Sequence, residues 1–312
     1  MLVGGCAMAQ PADHPAARKV VSEFFDLLES GDTSGIAALI TDDSALSSAV
    51  LDEDFYAAAA DRPTDAKIVA ATELEPGSVY VTVEYSVGGE DRDIKVEVVG
   101  SGGDSEIAGW LHDTLSIDPL RAPGAWQVNG TLSTGAADEE TQFVALPGIY
   151  DFEYVDPQGL GTVDPDGSAS SAFPVEFPVE GGQLTAAAPA GVTALGSGIG
   201  AVPRLLATVE KSAETQLATL VDECTASGLI GESCPADLRS VVKAGGGADP
   251  SSVVWTATSD PQFAPSARWD FSAGYSVSFE RPGATAGDVA KATYAGAVGV
   301  DGSGDPELQP AG

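Results

Sequence analysis

The chain has 312 residues, 43% of them hydrophobic, and a mean hydropathy of +0.06. That supplies the apolar material for two or three domains with real cores and excludes disorder throughout. It carries 47 Asp and Glu against 14 Lys and Arg, a formal charge of −33. A field of that sign repels phosphate backbones, so a nucleic-acid partner is excluded. The acids are spread along the chain rather than gathered into ligand-spaced loops. This favours a solvated surface suited to an extracellular or high-salt setting over a cation-binding one.

The first 14 residues read as a tether. The run Leu2-Val3-Gly4-Gly5-Cys6 resembles a bacterial lipobox, in which small residues precede a cysteine that is acylated after signal-peptide cleavage. The resemblance implies a lipid on Cys6 and attachment to the outer face of a cell membrane. A working signal also needs a basic segment and about 7–15 apolar residues, which places the true start upstream; the alternative is an ordinary free thiol.

Residues 15–122 form the first expected domain. Asp13 is placed to cap a helix, Pro15 suits its first turn, and Gly31 stops it. Between them Val20, Val21, Phe24, Leu27 and Leu28 recur at helical spacing, and residues 33–40 give a second short helix. The period then changes to two. Val79, Val81, Val83, Tyr85 and Val87 alternate with polar residues, Gly88-Gly89 turns the chain, and Ile94, Val96 and Val98 alternate on the return. Residues 67–74 and 106–112 add further strands. The expected fold class is α+β: a helix packed on a curved antiparallel sheet, a cone whose interior is the expected pocket.

Residues 123–188 read as a small β-sandwich. Asn129-Gly130 is a hairpin signal, read as a turn rather than a glycosylation sequon. Pro147-Gly148 marks another turn before the alternating Tyr150, Phe152 and Tyr154, and the proline-broken Phe173, Val175, Phe177 reads as an edge strand. Residues 189–300 repeat the first plan. Leu206, Val209, Ala213, Leu217, Leu220 and Cys224 make a helical stripe; strands follow at 253–258, 269–279 and 293–300. The last stretch, 301–312, is Gly, Pro and acid and reads as disordered.

Cys224 and Cys234 have nine residues between them and no histidine nearby, which is not a zinc spacing. One would end a helix and the other precedes Pro235, so a local disulfide is expected, and with it an oxidising compartment.

The chemistry-bearing candidates are few. His112-Asp113 is the one adjacent pair able to do acid–base work, at the mouth of the expected cone. Gly196-Ser197-Gly198-Ile199-Gly200-Ala201 imitates a dinucleotide fingerprint, but Pro203 follows and no βαβ unit surrounds it, so it reads as a flexible loop. Asp164-Pro165-Asp166-Gly167 and Asp301-Gly302-Ser303-Gly304-Asp305 echo calcium loops without the ligands of an EF-hand and read as turns. Trp110, Trp126, Trp255 and Trp269 all fall in strand patterns and read as core. No catalytic set, cofactor site or metal site is expected.

On the opening Val20 to Leu28 with Gly31-Asp32, and the strand from Val79 to Val87 with its hairpin partner, residues 15–120 resemble the nuclear transport factor two-like (cystatin-like, lumazine-binding-like) superfamily. Residues 126–130, 146–150, Asp222-Glu223-Cys224 and Cys234-Pro235 resemble a group of actinobacterial surface lipoproteins. Together these imply a multi-domain, extracytoplasmic envelope protein. They imply no activity: the Asp–His pair of enzymatic superfamily members has no counterpart at a matching position. The leading expectation is therefore a non-catalytic binding or interaction module whose partner is an envelope protein or small ligand. A small hydrolase or isomerase using His112 and Asp113, and a structural spacer, are the alternatives.

Overall fold

A computed structural model describes residues 14–41, 50–111, 115–118, 120, 122–134, 141–164, 172–177, 192–195, 198–266, 268–282 and 286–311. Cys6, Asp13, His112 and Asp113 lie outside the described residues, as does most of the acidic 164–167 turn. The described residues form an α+β protein of helices and mainly antiparallel sheets.

Helix α1 (Pro15–Ser30) buries Val21, Phe24, Phe25 and Leu28 along one stripe. It stops because Gly31 adopts φ 79°, which lets its N–H reach Leu27 O at 2.8 Å and that of Asp32 reach the same oxygen at 3.0 Å. Its N-cap is His14, in a left-handed conformation with no side-chain cap bond. Asp32 and Asp52 cap the short helices α2 (Thr33–Leu39) and α3 (Glu53–Ala57), accepting from Gly35 N and Phe55 N.

The strands β1 (Thr64–Glu75), β2 (Ser78–Val87), β3 (Glu90–Val99) and β4 (Glu106–Leu111) form an antiparallel meander. Gly88 and Gly89, both at positive φ, close the β2–β3 hairpin between Val87 and Glu90. Inward-facing Val81, Val83, Tyr85, Ile94, Val96, Val98 and Trp110 meet α1.

Central strands then follow: β5 (Leu115–Ile117), β6 (Ala125–Val128), β7 (Leu132–Thr134), β8 (Thr141–Phe143), β9 (Gly148–Val155), β10 (Gly161–Thr162), β11 (Phe173–Phe177), β12 (Val192–Leu195) and β13 (Gly198–Ala201). Two four-stranded sheets result, in the orders β11-β9-β6-β7 and β12-β13-β5-β8. Phe173 to Phe177 is at an edge, as its proline requires. Asn129 and Gly130 both take positive φ, and Thr131 N donates to Val128 O at 3.2 Å. The Asn129 side chain is itself engaged, donating to Phe55 O and accepting from Asp151 N.

The sheets cut across the domain limits expected from sequence. β5 lies before residue 123 yet pairs with β8 and β13, and β12 and β13 lie after residue 188 yet complete the same central sheet. Very short strands paired over long separations leave no periodic signature, which is why these pairings across residues 122 and 188 were not read from the sequence. Gly198–Ala201, expected as a flexible loop, is a strand held on both sides.

The first and central units share one core. Ile149 exchanges backbone bonds with Ala60 and Asp61 at 2.8 and 2.9 Å, and the Tyr56 hydroxyl donates to Pro147 O at 3.0 Å. Arg92 on β3 grips Glu176 on β11 with two bonds, 2.5 and 3.0 Å.

The last unit contains β14 (Arg204–Leu205), α4 (Ala207–Ala226), α5 (Ala236–Lys243), β15 (Val254–Ala257), β16 (Gln262–Pro265), β17 (Trp269–Phe279), β18 (Asp288–Val300) and β19 (Pro306–Pro310). Both helices pack on the face of the sheet carrying Trp269, Phe271, Val277 and Phe279. The expectation of a disordered 301–312 tail is corrected: Pro306–Pro310 pairs with Gly296 to Val300, and Leu308 is buried. Asp301 organises the turn before it, its carboxylate accepting Ser303 N and Asp305 N. A single Leu on an acidic, proline-bounded segment was enough to make a strand once a partner edge and Gln216 were present; Gln216 Oε1 accepts Leu308 N and its Nε2 donates to Pro306 O.

Candidate functional site

The space between α1 and its sheet is occupied by the chain's own side chains. Phe24 lies 5.9 Å from Trp110 and Phe25 lies 5.5 Å from Tyr85, ring centre to ring centre. These residues, with Val21, Leu28, Val81, Val83, Val96 and Val98, are all buried. The expected pocket in the cone is thus packed over the described residues, and the acid–base pair 112–113 falls outside them. The four tryptophans lie in β4, β6, β15 and β17; Trp110, Trp126 and Trp269 are buried, whereas Trp255 is half-buried.

A better candidate lies in the last unit. Cys224, near the end of α4, and Cys234, just before α5, are joined as a disulfide. The link closes a short loop in which Ser227 Oγ accepts Gly231 N at 3.0 Å and donates to Cys224 O at 2.7 Å. Pro235 then starts α5, whose Leu238 and Val242 face the core at helical spacing.

Between this loop and the sheet is a cleft of about 390 Å³. Leu220, Cys234 and Pro235 form its apolar side, Glu232, Asp237 and Arg239 its charged rim, and Thr293 to Ala295 with Pro310 and Ala311 its far wall. A site of this size with an apolar floor and a few polar groups suits a small ligand or a short peptide segment. At its base Tyr294 donates to Leu220 O at 3.3 Å. Burial, and to a smaller degree Tyr275 and Glu223, push its phenol above the ordinary range, so it is a neutral donor and not an acid–base group. Asp237 Oδ1 accepts Leu238 N at 2.8 Å, which fixes the carboxylate at the start of α5.

Of the cleft residues the sequence marked Leu220, Cys234 and Pro235, but not the charged rim. The available signal was the pair of cysteines followed by Pro235 and the Leu238/Val242 spacing, which marks a constrained loop entering a helix. The rim, within residues 232–239, and the far wall, from residue 293 onward, come from elements more than fifty residues apart.

A second, wider groove of about 560 Å³ lies across the outer face of β1 to β3, between Asp65, Lys67, Glu84 and Asp93. Lys67 sits opposite Glu84, which sits opposite Asp93, so the row is partly self-compensated. No group of three or more His, Cys, Asp or Glu able to hold a metal is present among the described residues. No helix among them is long and apolar enough to cross a membrane. Comparison with protein-family models, with curated proteins and with solved structures found no match for this chain.

Proposed function

We propose that this chain is a non-catalytic cell-envelope lipoprotein, anchored through Cys6, that acts as a binding module with the disulfide-bordered cleft as its site. The cleft is the observation that carries the binding reading: an apolar floor, a charged rim and a covalently closed loop in one place. The disulfide supports an extracytoplasmic setting, because such links persist in oxidising compartments. The helix on a four-stranded meander supports a cystatin-like first domain, and its packed interior favours interaction over turnover there.

Site-specific photo-crosslinking in intact cells tests the site. A crosslinker at Ser233 should give a discrete adduct that one at the exposed Glu73 on β1 does not. Equal labelling from both positions would remove the cleft from the proposal. Loss of metabolic lipid labelling in Cys6→Ala, in a chain expressed with its export signal, tests the anchor.

A structural spacer is the second reading, favoured by the joints between units. Backbone bonds and the Arg92–Glu176 pair fasten the first joint, and Asp156 with Trp269 fastens the second. Small-angle scattering that shows a single rigid envelope, with no adduct at Ser233, would favour it.

A further inference from the structure

The cleft borders an incompletely paired sheet edge. β18 spans Asp288–Val300, but β19 covers only Gly296 to Val300. Ala311 N donates to Ala295 O at 2.7 Å, so Ala295 turns its polar groups away from β17. In an antiparallel strand that direction alternates. Thr293, Lys291 and Val289 therefore turn their N–H and C=O toward the same side as β19, where no strand among the described residues pairs with them.

The edge is also regular. The pairing of β17 with β18 runs eleven residues without a register shift, whereas β1, the long edge strand of the first sheet, has three. Bulges of the latter kind blunt an edge against added strands; a straight one invites them. The straight edge at Thr293 and Ala295 is itself one wall of the cleft.

Resting on the cleft as the binding site, we propose that its ligand is an extended, basic peptide segment of a partner protein, added as a strand to β18 ahead of β19. Only an extended backbone offers alternating donors and acceptors at the spacing of the Val289, Lys291 and Thr293 edge groups. Alternate side chains of such a strand would point to the helix side, where Leu220 and Pro235 accept an apolar group. Glu232 and Asp237 at the rim offset Arg239 and the edge's own Lys291, and the −33 charge of the chain draws cationic segments and repels acidic ones.

The test uses the full chain, isotope-labelled, with an acetylated and amidated peptide of alternating valine and lysine. Two control peptides are a valine–glutamate version and a valine–lysine version N-methylated on the edge that would face β18. At saturating valine–lysine peptide, amide exchange at Lys291 and Thr293 should slow by roughly tenfold or more, and neither control should do this. Resonance shifts at Asp237 and Arg239 with equal binding of the N-methylated peptide would overturn strand addition while leaving the cleft as a site. No response at the cleft to any of the three peptides would overturn both. Thr293→Pro removes an N–H that faces the open edge and should abolish the protection. Should that variant fail to fold, Asp237→Arg, an exposed change, should weaken the valine–lysine peptide by roughly tenfold; unchanged affinity would overturn the basic-segment assignment.

Discussion

Replacing Asp156 should loosen the joint between the central and last units. Its carboxylate is 7% exposed and accepts three N–H groups: Gln158 at 2.9 Å, Leu160 at 3.2 Å and the Trp269 indole at 2.9 Å. Gln158 is exposed, so water can replace its bond. Leu160 and Trp269 are buried, and Asp156→Ala strands both donors. At about 1–3 kcal/mol for each stranded group, the loss comes to roughly 2–6 kcal/mol. Leu160 N and the Trp269 indole both donate to Oδ2, so Asp156→Asn, which keeps one acceptor oxygen for them, should lose less than half as much. The surrounding packing leaves little room for repair, because Gly161 already sits against the Trp269 ring and a methyl group there would collide with it. Urea unfolding followed by tryptophan fluorescence and near-ultraviolet circular dichroism measures the effect, and separation of the two transitions would locate it at the joint. An Asp156→Ala protein within about 0.5 kcal/mol of the wild type, with the same denaturant slope, would refute the reasoning.

Three other outcomes follow from the same structure. Reducing the Cys224–Cys234 link, ten positions apart in sequence, should cost about 2–3 kcal/mol by the chain-entropy relation; an unchanged urea midpoint in Cys224→Ser/Cys234→Ser would contradict it. Leu308→Ala should destabilise the chain by about 2–3 kcal/mol, whereas a disordered tail would show no change in melting. Burial raises the pKa of Tyr56, Tyr150, Tyr154 and Tyr294, so their stabilising contribution is complete below the unfolded value near 10 and is lost as pH rises above it. Tyrosinate absorbance should therefore show these four ionising together with unfolding; reversible titration of all seven tyrosines near pH 10, with the near-ultraviolet spectrum intact, would exclude this.

Elements whose identity is set by near neighbours were legible in the sequence. The stripe from Val20 to Leu28, the stop at Gly31, the alternation of Val81, Val83 and Tyr85, and the Asn129-Gly130 turn all appear where local periodicity and positive-φ preferences put them. The cysteine pairing also followed from a short separation and a proline. Tertiary contact decided the rest. β5, β12 and β13 are three or four residues each, too short to show a period, and exist through pairing with one another and with β8. Residues 306–310 became a strand because β18 offered an edge and Gln216 held their backbone at Pro306 and Leu308. The cleft belongs to the same class: its rim, floor and wall come from α4, the disulfide loop, α5 and β18. Each segment satisfies its own local preferences, and only packing the helices on one face of an unequally paired sheet leaves a space between them.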